Sequence, residues 1–192
     1  MHIIVGLGNP GKKHEHTRHN AGFLGIDHFL DGREGVTCQQ KFKGHLCEMK
    51  FTAANLSTGP VRAMFLKPQT YMNNSGEAVS EALRFYKIKP ETHLLVIHDE
   101  IDLKFGYVKP AFDSGPAGHN GVKSIIQHLG TQEFSRIRIG VESRLSRTEK
   151  PTDAFVLEIF TPEEKEKLTS VFTKTDELIA AFLVTGSVMP SS

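Results

Sequence analysis

Two short polar motifs contain a histidine and an aspartate suited to general base catalysis. The first is Thr17-Arg18-His19-Asn20, and the second is His98-Asp99-Glu100-Ile101-Asp102. An aspartate bonded to an imidazole holds one tautomer and stabilises the charged ring. Because no serine or cysteine nucleophile is evident beside them, we predict that His19 activates water with Asp99 as its partner. The competing interpretation of His19 is a surface or helix-capping histidine.

Two further motifs place side-chain amides ahead of predicted helices. One is Pro68-Gln69-Thr70-Tyr71-Met72-Asn73-Asn74-Ser75-Gly76, and the other is Gly118-His119-Asn120-Gly121. An amide is neutral, donates and accepts hydrogen bonds, and does not titrate. Several amides in one cleft would therefore suit recognition of a peptide backbone or an oxyanion. Helix capping by Asn74 or Ser75 explains one such residue without any ligand.

A glycine-rich segment follows the first predicted strand. Its residues, Gly6-Leu7-Gly8-Asn9-Pro10-Gly11, match the dinucleotide-binding pattern GxGxxG. That pattern needs a helix to begin within the glycine loop, whereas Pro10 intervenes and residues 12–16 have no apolar face. A nucleotide site is therefore disfavoured. The segment forms either a tight turn or a loop in which Asn9 presents its amide to a ligand.

Alternating strands and helices are predicted to position these motifs. Strands are expected over residues 2–7, 43–51, 61–66, 93–98, 106–111 and 136–141. Helices are expected over residues 21–31, 75–86, 120–129 and 161–184. This order predicts a single three-layer α/β (αβα) domain with a mixed central sheet. Because ligands in such sheets bind beyond the carboxyl ends of the strands, the polar motifs are expected at one edge.

Composition places the chain among globular proteins of ordinary size. Its 192 residues fit one catalytic domain, assigned to residues 1–188, with a frayed tail over 189–192. No apolar run approaches the roughly 20 residues of a membrane span, and no signal peptide is evident. The expected compartment is therefore the cytoplasm. A net charge of +1 neither demands nor excludes nucleic acid, so any basic patch must be local.

Cysteine and histidine usage predicts neither a disulfide framework nor a metal site. Cys38 and Cys47 match no metal-ligand spacing and are expected to be reduced structural thiols. The ten histidines are scattered and form no HExxH or Cys/His cluster. We therefore expect no cofactor and no metal ion.

In order and spacing, these motifs resemble one family, the bacterial-type peptidyl-tRNA hydrolases. The resemblance covers nearly the whole chain and rests on residues 5–11, 17–22, 67–76, 98–102 and 118–121, with further matches at Phe134 and residues 136–140. It implies a phosphorylase/hydrolase-like fold and a monomeric enzyme without an obligate protein partner. The implied reaction is hydrolysis of the ester between a peptide and the terminal ribose of tRNA, which recycles tRNA in ribosome rescue.

The resemblance also implies roles for individual residues. His19 matches the catalytic histidine, and Asp99 matches the aspartate that keeps it basic. Asn9 matches the asparagine that discriminates peptidyl-tRNA from aminoacyl-tRNA. Binding of substrate is implied for Tyr71, Asn73 and Asn120.

Contacts with the tRNA are expected to involve its phosphates, because many different tRNAs must be accepted. His14 stands where the family usually has a tyrosine near the tRNA end, and its imidazole is also flat. Arg138 matches a basic position of the family. Ala111 replaces a second basic residue, so phosphate binding is expected to be shifted or weaker. Further candidates, each of which alone is more often a solvated charge, are Lys12, Lys13, Lys109, Lys123, Arg144 and Arg147.

Two alternatives remain open from the sequence. One is a non-catalytic RNA-binding protein of the intron-splicing type on the same fold. The other is a hydrolase or phosphorylase for a small nucleotide or peptide, because purine nucleoside phosphorylases and some peptidases share the architecture. Turnover of peptidyl-tRNA discriminates the first alternative. The amides together with His19 and Asp99 argue against the second.

Overall fold

A mixed β-sheet forms the centre of the fold in the computed structural model, which describes residues 1–53, 59–148 and 150–189. The strands in these ranges are β1 (His2–Gly6), β2 (Thr37–Lys41), β3 (Gly44–Phe51), β4 (Val61–Pro68), β5 (Leu94–Lys104), β6 (Val108–Phe112) and β7 (Ser135–Glu142). Their order across the sheet is β2-β3-β4-β1-β5-β7-β6. Strands β4, β1, β5 and β7 are parallel, whereas β2, β3 and β6 join the sheet through antiparallel pairs.

Helices cover both faces of this sheet. The α-helices are α1 (Ala21–Leu30), α2 (Ser75–Tyr86), α3 (Pro90–His93), α4 (Asn120–Leu129), α5 (Thr152–Val156) and α6 (Pro162–Thr185). Short 3-10 turns cover Lys12–His14, Arg18–Asn20 and Met72–Asn74. Side chains alternate between the two faces of β1, so Ile4 packs in the core of α1 and α6 while Val5 packs in the core of α2 and α4. The predicted three-layer αβα fold with a mixed sheet is thereby confirmed.

The sequence predictions match the long elements closely and miss the short ones. Helices α2 and α4 have the predicted bounds, and α6 begins at a capping box in which Thr161 and Glu164 bond reciprocally. The exposed edge strand β2 and the five-residue helix α5 were not predicted, because neither has a recurring apolar pattern. Strand β5 extends to Lys104, beyond its predicted apolar run.

The expectation of reduced cysteines is wrong for this structure. Cys38 on β2 lies opposite Cys47 on β3, with their Cα atoms 4.0 Å apart, and the two sulfurs form a disulfide. The sequence did not predict β2, so it could not indicate that these cysteines face each other across an antiparallel pair. The disulfide joins the edge strand covalently to the sheet.

Residues 190–192 of the predicted frayed tail lie outside the described residues, so the boundary between 1–188 and that tail stays a prediction. Within the described ranges, no helix combines the length and apolar character needed to cross a bilayer.

Close backbone contact between α1 and the sheet depends on Gly22. A Cβ added there would overlap the carbonyl oxygen of Ile97 and the backbone nitrogen of Leu7. Gly25, one turn further along α1, has room, because a Cβ there would lie 3.5 Å from Thr175 Cγ2. The first turn of α1, which directly follows His19, is therefore held against β1 and β5.

We expect Gly22→Ala to lower the free energy of unfolding by about 1–3 kcal/mol, because the added methyl group forces the backbone apart in a packed interior. Gly25→Ala is the matched control. It should leave stability unchanged or raise it by up to about 1 kcal/mol, because alanine favours helix more than glycine does. Urea unfolding of both variants measures the difference. Equal stability of the two variants would contradict the contact described for Gly22.

Candidate active site

The four polar motifs meet at the carboxyl edge of the parallel strands. A cleft of about 260 Å³ opens there, and its lining includes five predicted site residues: Asn9, His19, Tyr71, Asn73 and Asn120. An adjoining recess shares His19 and Asn120 with this cleft and reaches Asp99 and His119. The cleft and recess together are called the His19 cleft below. The fold thus brings together predicted site residues as distant in sequence as Asn9 and Asn120.

His19 is oriented by a buried carboxylate. It lies on the 3-10 turn Arg18–Asn20, and its Nδ1 atom is 2.9 Å and 3.0 Å from the two carboxylate oxygens of Asp99 on β5. Because a carboxylate accepts, Nδ1–H donates to Asp99 and Nε2 keeps its lone pair. Burial alone would lower the pKa of His19, but the charge and hydrogen bond of Asp99 and the charge of Asp153 outweigh burial and raise it. The predicted His19–Asp99 pair is present geometrically.

Asp99 accepts a hydrogen bond from a second imidazole, that of His119, to which the sequence assigned no role. His119 Nε2 lies 2.9 Å from Asp99 Oδ1. His119 is also the N-cap of α4, where its Nδ1 accepts from the backbone N–H groups of Gly121 and Val122 at 3.2 Å and 3.3 Å. Nδ1 therefore carries no proton, and Nε2–H donates to Asp99. The position of His119 before a predicted helix was the one local signal for this arrangement.

The environment keeps Asp99 ionised. Burial would raise the pKa of its carboxyl group, but electrostatic interaction with His19 and His119 and the hydrogen bonds that they donate hold that pKa far below its usual value. His98 is fully buried beside them and donates from Nδ1 to the backbone oxygen of Asp99 at 2.7 Å. Burial and the neighbouring His119 lower the pKa of His98 well below its usual value. His98 is thus a neutral support for the strand, while Asp99 carries the charge.

The turn that carries His19 is anchored from behind by Arg18. The Arg18 side chain is almost fully buried, donates to Glu164 Oε2 at 2.8 Å, and lies over the ring of Phe155 at 4.2 Å. Glu164 also caps α6 by accepting from the backbone N–H of Thr161 at 2.7 Å. Because breaking such a buried pair leaves an uncompensated charge, this contact fixes the turn strongly. The sequence did not assign this role to Arg18.

Asn9 is held rigidly with its amide at the cleft. Its backbone N–H donates to Asn20 Oδ1 at 2.8 Å, and Asn20 Nδ2 donates to its backbone oxygen at 3.0 Å. Asn9 Oδ1 accepts from the backbone N–H of Met72 at 2.8 Å. Within the described residues, its Nδ2 donates no hydrogen bond. Of the alternatives for the glycine-rich segment, this geometry favours an amide presented to a ligand; residues 12–14 form only a 3-10 turn, as expected for a segment that is not a dinucleotide site.

The other predicted substrate residues in the cleft lining are Tyr71, Asn73 and Asn120. Tyr71 is 58% exposed and adopts a φ of 52°, a left-handed conformation that is uncommon for a non-glycine residue. Asn73 and Asn120 are both exposed near the starts of α2 and α4. Backbone strain of this kind is commonly found where a side chain must face a ligand.

His14 and Arg138 lie outside the cleft lining. His14 ends the 3-10 turn Lys12–His14, where partial burial and the charges of Lys13 and His19 lower its pKa. Arg138 lies on β7 beside His98 of β5, and its Nη1 is 3.8 Å from Glu100. Both are therefore at the periphery of the His19 cleft.

Two further candidate phosphate ligands, Arg144 and Arg147, are also engaged in ion pairs. Arg144 is almost fully buried and binds Glu142 Oε2 at 2.7 Å, so it is not the exposed cation that the sequence suggested. Arg147 binds Asp102 at 2.8 Å. The remaining lysines are exposed: Lys12, Lys13, Lys109 and Lys123.

His19, Asp99 and His119 are also the one group of potential metal ligands found among the described residues. Their facing atoms already pair as two N–H donors and one carboxylate acceptor. Because His119 Nδ1 already accepts from the α4 backbone, a metal ion could bind this ring only at Nε2. Nε2 would then have to lose the proton that it donates to Asp99. The geometry is that of a hydrogen-bonded triad.

Comparisons with known proteins agree with one family throughout. A profile of the family described as "Peptidyl-tRNA hydrolase" matches residues 3–190. The chain belongs to the peptidyl-tRNA hydrolase family. The recognition based on its motifs is thereby confirmed, and the non-catalytic RNA-binding alternative is not supported.

Several named peptidyl-tRNA hydrolases resemble this family member along most of their length. The one from Caldicellulosiruptor saccharolyticus is 42% identical over 185 residues, covering 96% of this chain and 92% of its own. The one from Lactobacillus acidophilus is 38% identical over 184 residues, covering 95% and 93%. The crystal structure of the Acinetobacter baumannii enzyme superposes with a TM-score of 0.83 at 31% identity, covering 96% of this chain and 88% of that one.

The coupling of His19 to Asp99 predicts a pKa change that can be measured directly. In Asp99→Asn the opposing charge is lost and burial dominates, so the pKa of His19 should fall from above its ordinary value to below it. NMR titration of the His19 ring reports this value. Asp31→Asn removes the same charge at the far end of α1 and should leave the titration unchanged. A His19 pKa that stays raised in Asp99→Asn would contradict the assigned coupling.

Proposed function

We propose that this hydrolase cleaves the ester between the peptide and the 3′-terminal ribose of peptidyl-tRNA, with His19 as the general base. The observation that carries the proposal is the hydrogen bond from His19 Nδ1 to the ionised Asp99. This bond leaves Nε2 of a cleft-lining imidazole unprotonated and able to accept a proton. Membership of the family supports the reaction, and the geometry supports the roles of the residues.

The reaction follows from this tautomer. His19 Nε2 takes a proton from a water molecule as its oxygen attacks the ester carbonyl carbon. Asp99 stabilises the imidazolium that forms, and His119 holds Asp99 in place. When the tetrahedral intermediate collapses, the ribose oxygen leaves and takes the proton from His19. A positioned base of this kind contributes roughly 10²–10⁴-fold to the rate.

The amides supply the remaining polar contacts. Asn73 and Asn120 flank His19 in the cleft and would donate to the oxyanion or to carbonyl groups of the peptide. One oxyanion donor contributes roughly 10²–10³-fold. Asn9 Nδ2 would donate to the carbonyl oxygen of the peptide bond that is formed by the α-nitrogen of the esterified residue. Free aminoacyl-tRNA lacks that oxygen and has an ammonium group, which cannot accept.

The tRNA would be bound through phosphates at the periphery of the cleft. Arg138 and Lys109 are directly paired residues of β7 and β6, so their cations extend from neighbouring positions. Ala111 pairs with the buried Arg136, so Lys109 supplies the basic neighbour at this edge instead. Lys12, Lys13 and His14 add a second basic segment, and the ring of Tyr71 would pack against the substrate. Binding of this type weakens as salt concentration rises.

The proposal includes the compartment and the oligomeric state in which the enzyme acts. Peptidyl-tRNA arises from translation, so the enzyme is placed in the cytoplasm. The resemblance to the family supports action as a monomer.

Hydrolysis of N-acetyl-aminoacyl-tRNA tests the reaction and the base together. The wild-type protein should cleave it in the presence of chelator, and His19→Ala should lose roughly 10²–10⁴-fold in rate because no base activates water. His93→Ala is the control, since His93 precedes the opposite end of β5. Cleavage that survives in His19→Ala would exclude His19 as the base. No cleavage by folded wild-type protein would refute the proposed function.

Substrate discrimination tests Asn9. In Asn9→Asp the remaining oxygens can still accept from Met72, but the Nδ2–H donor is lost and a negative charge appears. Preference for N-acetyl-aminoacyl-tRNA over aminoacyl-tRNA, measured as the ratio of kcat/KM values, should fall about tenfold or more, as expected for one lost hydrogen bond. Asn74→Asp changes an exposed amide outside the cleft and should keep the ratio. Unchanged preference in Asn9→Asp would contradict the role given to Asn9.

A further inference from the structure

Acidic side chains line the His19 cleft, although the substrate's tRNA is a polyanion. Asp99, Glu100 and Asp153 contribute carboxylates to its lining, and no lysine or arginine does so among the described residues. The basic residues considered above lie outside it. The end of the cleft where the ester would be cleaved therefore differs in charge from the surface that would hold phosphates.

Two of these three carboxylates already have partners. Asp99 accepts from His19 and His119. Glu100 is buried, accepts from the backbone N–H of Asp102 at 3.2 Å, and lies 3.8 Å from Arg138. Neither charge is therefore available to a ligand without breaking an existing contact.

Asp153 differs from both. It is exposed, and within the described part of the chain its carboxylate forms no ion pair with lysine or arginine and no hydrogen bond. It lines both the cleft and the adjoining recess, as His19 does. Its charge also raises the pKa of His19, although less than Asp99 does.

The position of Asp153 is fixed by its neighbours rather than by its own contacts. It belongs to the first turn of α5, whose Phe155 and Val156 are buried. Phe155 lies beneath the guanidinium of Arg18, which in turn is bonded to Glu164. A carboxylate in a first helical turn is favoured by the helix dipole, which accounts for an acid here but not for its direction into the cleft.

We propose that Asp153 is a specificity-determining residue that favours peptides whose C-terminal residue has a cationic side chain, such as lysine. This inference rests on the proposed function. With the ester carbonyl at His19, the side chain of the residue that carries that carbonyl would lie in the cleft that Asp153 also lines. A cation there would find an unpaired carboxylate, whereas a neutral side chain would not.

The expected effect is modest because Asp153 is exposed. Two unit charges some 6 Å apart in a largely aqueous environment correspond to a preference of about 3- to 10-fold in kcat/KM. The preference should shrink as ionic strength rises, because screening acts on exposed charges.

The test uses two substrates on the same tRNA, Nα-acetyl-lysyl-tRNA and Nα,Nε-diacetyl-lysyl-tRNA, which differ in the charge of the lysine side chain. The ratio of their kcat/KM values is measured for the wild type, Asp153→Asn and Asp153→Lys. Any effect of Asp153 on His19 applies to both substrates and cancels in the ratio. Asp31→Asn is the matched control, since Asp31 is an exposed acid at the far end of α1.

The wild type should prefer the charged substrate by about 3- to 10-fold. In Asp153→Asn the ratio should fall to the value set only by the difference in size between the two side chains. Asp153→Lys should lower the ratio further, and Asp31→Asn should keep the wild-type ratio. Cleavage of both substrates with a ratio that is the same in all four proteins would overturn the role of Asp153 while leaving the proposed function intact. Failure of the wild type to cleave either substrate would overturn both.

Discussion

The site depends on one buried charge, the carboxylate of Asp99. An isolated carboxylate inside a protein is strongly unfavourable, so it must be paired and hydrogen-bonded. Here two imidazoles from different parts of the chain, His19 and His119, supply the N–H donors. Their convergence on one carboxylate couples the loop after β1, the end of β5 and the start of α4. The same contacts that offset the cost of burial also set the tautomers needed for general base chemistry.

That convergence requires unusually close backbone packing. Gly22 lets α1 touch β1 and β5, and Gly121 lets the start of α4 lie against Met72 and Leu7. These positions bring three loops within hydrogen-bonding distance of each other. The buried Arg18 then ties the His19 turn to α6, so the cleft has a rigid back wall.

Charge is divided between two regions of the molecule. Cations at Lys109 and Arg138 lie side by side on β6 and β7, where phosphates would be bound. Around His19 the lining is acidic or neutral. The acidic side chains of Asp99 and Asp153 raise the pKa of His19, and the carboxylate of Asp153 stays available to a cation. The net charge of +1 conceals this division, because opposite local charges nearly cancel over the whole chain.

The sequence alone determined those features that depend on neighbouring residues. Apolar spacing and capping residues placed α2 and α4, and short motifs identified His19, Asp99 and the amides. Tertiary structure decided the rest: the tautomer of His119, the burial of Arg18, the pairing of Cys38 with Cys47, and the direction of Asp153 into the cleft. These features depend on strand register and on contacts between distant residues. Local periodicity contains no information about such contacts, because the same motif can face a core, a partner or solvent.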